Sequence, residues 1–171
     1  MEAPIIDDEL WILIEPLLPP AKLRAKSDPG RPRVSDRAAL NGILFVFKTG
    51  IRWNHLPTRL GFGSGATCWR RLSDWQKAGV WDQLHELLLD KLRAAALRER
   101  GIKPVIAKRR TEHGSGLGKY RWVVERTHSW LHNFRRLRTR FERSAYIHEA
   151  FLKLGCSIIC WNIFRRAVQG F

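Results

Sequence analysis

Residues 120–128 read Tyr120-Arg121-Trp122-Val123-Val124-Glu125-Arg126-Thr127-His128. Free of glycine and proline, this stretch predicts a helix from about Tyr120 to Phe134. Arg121, Glu125, His128 and His132 recur at i, i+4, i+7 and i+11 and share one face, which leaves Val123, Val124, Trp130, Leu131 and Phe134 to pack elsewhere. A carboxylate on a basic, tryptophan-rich helix suits one corner of a metal site for phosphodiester chemistry. Glu125 would ligate Mg2+ or Mn2+, and Arg121 would steady the carboxylate or a phosphate. Such a site needs further carboxylates around two ions, yet no aspartate follows Asp90. The same residues also admit an Arg121–Glu125 helix pair worth a few tenths of a kcal/mol, or a zinc reading of Glu125, His128 and His132 that lacks a fourth ligand.

Downstream, Asn133 to Arg143 places five arginines among Phe134, Leu137 and Phe141. A strip of this kind buries its apolar side and offers guanidiniums to phosphates, which makes Arg135, Arg136, Arg138 and Arg140 candidate DNA contacts. The charge of the whole chain points the same way. Residues 1–95 carry 14 basic and 11 acidic side chains, a net of +3, whereas residues 96–171 carry 17 and 5, a net of +12. A polyanionic partner, nucleic acid above all, follows from that asymmetry.

Upstream, capping and breaker residues mark a series of helices. Asp7 or Asp8 opens the first, with Leu10, Trp11, Leu13, Ile14, Leu17 and Leu18 as its apolar face, and Pro19-Pro20 stops it. Residues 21–35 form a polar arm in which proline stiffens the surroundings of Arg31 and Arg33, a composition able to enter a minor groove. Ser35 and Asp36 open a helix to about Thr49, ended by Gly50. Ser64 caps another from Gly65 to Ala78, ended by Gly79, with Trp69, Leu72 and Trp75 as its apolar contacts. A further helix runs from Trp81 to about Arg100, and the last from Tyr146 to Arg166. The arrangement satisfies a helix-turn-helix pattern. Thr67, Arg70, Arg71 and Lys77, with Gln76 beside them, are its candidate DNA contacts. Only Lys103 to Ala107 suggests a strand, an orphan without partners for its backbone.

At 171 residues and 44% apolar composition the chain can bury a core. Cys68, Cys156 and Cys160 form no CxxC pair, so reduced thiols and a reducing cytoplasm are expected. Met1 to Asp8 lacks the apolar core of a signal peptide, and the uncharged run from Leu154 to Phe164 is short for a membrane span.

These strings together resemble the bacterial insertion-sequence transposases of the DDE type, in the insertion-sequence-five family. Asp8-Glu9-Leu10-Trp11, Gly30-Arg31-Pro32, Lys48 to Trp53, Leu56-Pro57 and Thr67 to Leu72 are similar to that family's N-terminal DNA-binding region. Arg109 to Gly118, Arg121 to Thr127 and Asn133-Phe134-Arg135-Arg136 are similar to its C-terminal end. The resemblance implies that Glu125 is the last carboxylate of a catalytic triad, with Arg121 the arginine just before it, and that Mg2+ or Mn2+ is the cofactor. Where the family tends to carry lysine, this chain has His132. It also implies an internal deletion between about Arg93 and Leu97. Family members carry there two catalytic aspartates and most of an RNase H-like sheet.

The expected fold is therefore mainly α, with at most one short strand. Residues 1–95 form a helix-turn-helix-type DNA-binding domain, and residues 96–171 a helical remnant of the catalytic domain. Its expected work is to bind the terminal inverted repeats of its element in the nucleoid, with Glu125 vestigial and the metal not held productively. Further partners would be another copy of the chain or full-length transposase, which it would repress or compete with. Non-specific nucleic-acid binding is the alternative.

Overall fold

The computed structural model describes residues 5–21, 32–99 and 121–169. Seven helices form among them and no strand does: α1 (Asp8–Ile14), α2 (Asp36–Thr49), α3 (Gly65–Lys77), α4 (Val80–Glu99), α5 (Arg121–Leu131), α6 (Arg135–Arg138) and α7 (Ala145–Gln169). The mainly helical fold expected from the sequence is thus observed. The strand expected at Val105-Ile106 lies outside the described residues, as does Arg31.

Helix starts follow their caps. Asp7, Ser35 and Ser64 each accept a hydrogen bond from the backbone N–H three residues on, satisfying a donor that the first turn leaves without a partner. Gly50 ends α2 in the left-handed region, at φ 73°, where a side chain would be strained. A β-carbon there would also stand 3.0 Å from that of Arg135, so the end of α2 lies directly against α6. Asp7 does more than cap: it accepts from Trp161 Nε1 and from Arg165 Nη1, each at 3.0 Å, tying the start of the chain to α7.

A single cluster of buried residues holds the helices together. From α2 come Leu40, Ile43, Val46 and Phe47, and from α3 Leu72 and Trp75. Trp81, Leu84 and Leu88 of α4 join them, with Ile147, Phe151 and Leu154 of α7. Phe47 stacks on Phe134 with ring centroids 4.3 Å apart and on Phe151 at 5.2 Å, and Phe151 stacks in turn on Trp53 at 5.8 Å. This aromatic column joins α2 to the segment after α5.

α7 is the longest helix, and 24 of its residues, Ala145–Val168, are long and apolar enough to cross a membrane at a mean hydropathy of 1.2. The uncharged run from Leu154 to Phe164 is only part of it. The helix exceeds it because a few charged residues interrupt an otherwise apolar sequence. Ile147, Ala150, Phe151, Leu154 and Trp161 form its buried stripe. The thiols are all free, and burial pushes those of Cys68 and Cys160 up to about 11, which keeps them protonated and unreactive.

Candidate nucleic-acid interface

α3 is amphipathic in a way that separates structure from surface. Cys68, Leu72 and Trp75 face the core, while Thr67, Arg70, Asp74 and Lys77, spaced three to four apart, lie on the other side with Arg70 and Lys77 exposed. Close approach at its first turn requires glycine: a β-carbon on Gly65 would fall 1.9 Å from the carbonyl oxygen of Trp53. The helix start is therefore pressed against the preceding connector. That connector, residues 50–64, contains two short 3-10 turns and is longer than the turn of a compact helix-turn-helix, whereas α3 and α4 meet at the tight Ala78-Gly79 corner.

Beside α3 lies a cleft of about 630 Å3 whose lining includes Arg33, Thr67, Arg70, Arg71 and Asp74. The structure thus brings four of the sequence-predicted contacts to one place. They are not equally free. Arg71 is 12% exposed and is ion-paired with Asp36; it also reaches the Val34 carbonyl at 3.5 Å. Burial lowers its pKa, and the Asp36 charge opposes that. Arg33 reaches the two Asp36 oxygens at 3.0 and 3.2 Å, so a single carboxylate anchors both guanidiniums. Arg70 is exposed and donates to the Ala66 carbonyl of its own helix at 3.3 Å. The Thr67 hydroxyl shares a 2.9 Å hydrogen bond with Ser64. Gln76, adjacent to them in the sequence, turns inward instead: it is 6% exposed and its Oε1 has no partner among the described residues.

The arginine strip divides in the same way. Arg135, Arg138 and Arg140 are exposed, the latter two donating to the carbonyls of His132 at 2.7 Å and Glu142 at 3.3 Å. Arg136 requires a correction. Read from sequence as a phosphate contact, it is 4% exposed and is held inside the fold. Its Nε and Nη2 donate to Glu142 Oε1 at 3.1 and 2.6 Å, and its Nη1 donates to the Ile51 carbonyl at 2.7 Å. With its donors engaged and its plane between Trp53 and Phe141, it is a structural residue.

Arg121 and Glu125 fall on α5, whose backbone is described there while their side chains are not. His128 and His132 are exposed. Among the described residues no three His, Cys, Asp or Glu side chains converge to hold a metal ion, for zinc or for magnesium. The aspartates are engaged elsewhere: Asp82 with Lys153 at 2.7 Å, Asp90 with Arg93 at 2.6 Å, and Asp74 on the rim of the α3 cleft.

Residues 60–163 match the family of transposase DDE domains, and residues 6–85 match the family described as "Putative transposase of IS4/5 family". The chain is 73% identical over 95 residues to the "Insertion element IS402 uncharacterized 16.2 kDa protein" of Burkholderia cepacia, covering 56% of this chain and 65% of that protein. It is 82% identical over 74 residues to the "Putative transposase for insertion sequence element IS402" of the same organism, covering 43% of this chain and 35% of that protein. The chain thus spans less than two thirds of either relative. No solved structure matches.

Proposed function

The chain belongs to the family of transposase DDE domains, a transposase family of an insertion element, and from that premise we propose that it binds duplex DNA at the terminal inverted repeats of an IS402-like element without cutting it. The observation that carries this reading is the outward face of α3, where Thr67, Arg70 and Lys77 stand clear of a core formed by the opposite face. Arg70 is the base-reading residue, since a guanidinium can bond a guanine edge at two points in the major groove. Arg33 and Arg71, locked by Asp36, set the wall of the cleft, and Arg31, two residues before Arg33 in sequence, is a further candidate contact. Arg135, Arg138 and Arg140 contact phosphates on the flanking strip, with Arg136 holding that strip from behind.

In this reading residues 1–95 are the DNA-binding unit and residues 96–171 a remnant of the catalytic domain. Glu125 is its surviving catalytic carboxylate, with Arg121 four residues before it in sequence. A lone carboxylate does not position two Mg2+ or Mn2+ ions, so cleavage is absent. A protein that occupies the repeats without cutting them competes with full-length transposase for the same DNA. It acts in the nucleoid, alone or in complex with another copy or with that enzyme.

The α3 assignment is tested by fluorescence anisotropy on a labelled duplex carrying the terminal repeat, against a scrambled duplex. Arg70→Ala lowers affinity for the repeat about tenfold, from the roughly 1–3 kcal/mol of a bidentate base contact, and narrows the preference over the scrambled sequence. Arg138→Ala weakens both duplexes alike and reduces the salt slope by about one. Equal affinity of the unaltered chain for repeat and scrambled DNA, with a steep salt slope, identifies a non-specific binder instead.

A further inference from the structure

Trp69 and Trp75 look alike in sequence, as two apolar contacts of one helix, but the structure separates them: Trp75 is 1% exposed and Trp69 37%. Among the described residues only two aromatic side chains are exposed, Trp69 and Phe141 at 50%, and both line the same cleft of about 650 Å3. Trp53 lies in the wall, fixed by its indole N–H donating to Glu142 Oε1 at 3.2 Å. The Arg136 guanidinium stands 5.0 Å from the Phe141 ring and 5.8 Å from that of Trp53. At the rim stand Arg52 and Arg143, both exposed, whose side chains have no ion pair or hydrogen bond among the described residues.

We propose that this cleft takes up an unpaired nucleobase, stacked against Trp69 and Phe141, with Arg52 and Arg143 on the adjoining phosphates. The chemistry selects that ligand. Flat aromatic faces attract the face of a base, which is sequence-tolerant because every base has one. A base inside a duplex is already stacked and paired, so only a single-stranded or extruded one can enter. Free guanidiniums beside an aromatic floor complement the sugar-phosphate on either side. The cleft's one buried carboxylate, Glu142, is already taken by Arg136 and does not repel that backbone. Trp69 sits next to Arg70 on α3, so the cleft adjoins the face assigned to the duplex. The inference deepens that reading and rests on it for the source of the strand.

The test measures two affinities separately, by anisotropy on the full chain. One probe is a labelled oligothymidylate of roughly eight nucleotides, within the site sizes of single-strand binders; the other is the terminal-repeat duplex. Trp69→Ala and Phe141→Ala each lower oligothymidylate affinity about tenfold and change duplex affinity less than twofold. Trp69→Phe retains most of the binding, because a stacking face remains. Arg70→Ala shows the reverse pattern. Thermal melts confirm that each variant folds, and Phe141→Ala decides the matter if Trp69→Ala does not. Unchanged oligothymidylate binding in both alanine variants overturns the inference, since rim charges alone would then hold the strand. Loss of aromatic-dependent binding in a chain that never bound the duplex leaves the base site standing and removes only the duplex reading.

Discussion

Arg136→Ala is expected to lower the folding stability of the chain by about 3–5 kcal/mol, because it leaves a buried carboxylate without its partner. The magnitude follows from burial: Arg136 is 4% exposed and Glu142 9%, so neither charge is screened by water. Loss of the guanidinium also strips the Ile51 carbonyl of its 2.7 Å donor and the Trp53 and Phe141 rings of their shared cation. Small domains are stable by about 5–15 kcal/mol, so the variant lies near the edge of unfolding. Urea denaturation followed by far-ultraviolet circular dichroism gives the difference. Replacing both partners with apolar residues of similar volume recovers most of it, because the cost lies in the orphaned charge rather than in the absence of the pair. A shift below about 1 kcal/mol, the value of a surface pair, would return Arg136 to the phosphate-contacting role suggested by its sequence neighbours.

Phe47→Ala is expected to cost about 3–5 kcal/mol as well, by a different mechanism. Phe47 is fully buried and lies between Phe134 and Phe151, so truncation removes apolar burial and opens a cavity with stacked rings on two sides. Hydrogen exchange locates the damage. Amides of α7 around Phe151 lose protection together with those of α2, since one aromatic column supports both. A variant that loses protection in α2 alone would mean that α7 is held by other contacts.

The helices were legible because their signals are local. Ser35, Ser64 and Gly50 sit where capping chemistry requires them, and the inward positions of α2 follow from period 3.6. α5 is shorter than its pattern suggested. It stops at Leu131, and the chain turns at Asn133 and Phe134 before the short α6, with Phe134 drawn into the core by Phe47.

The fates of the arginines were not legible, because they are decided by partners far away in sequence. Arg71 meets Asp36 across 35 residues, and Arg136 meets Ile51 across 85. Composition says that Asn133 to Arg143 is basic; only packing says which guanidinium is inside. Trp69 and Trp75 differ for the same reason. α3 buries one stripe, and the connector from Gly50 to Ser64 leaves Trp69 on its margin.

Recognition of duplex DNA without cleavage is tested by incubating the full chain with a duplex bearing the terminal repeats of an IS402-like element in Mn2+. The expected result is a salt-sensitive complex on intact strands, with the same pattern in Glu125→Ala. Nicks at the repeat ends that disappear in Glu125→Ala would contradict it, because they would require carboxylates gathered around paired metal ions.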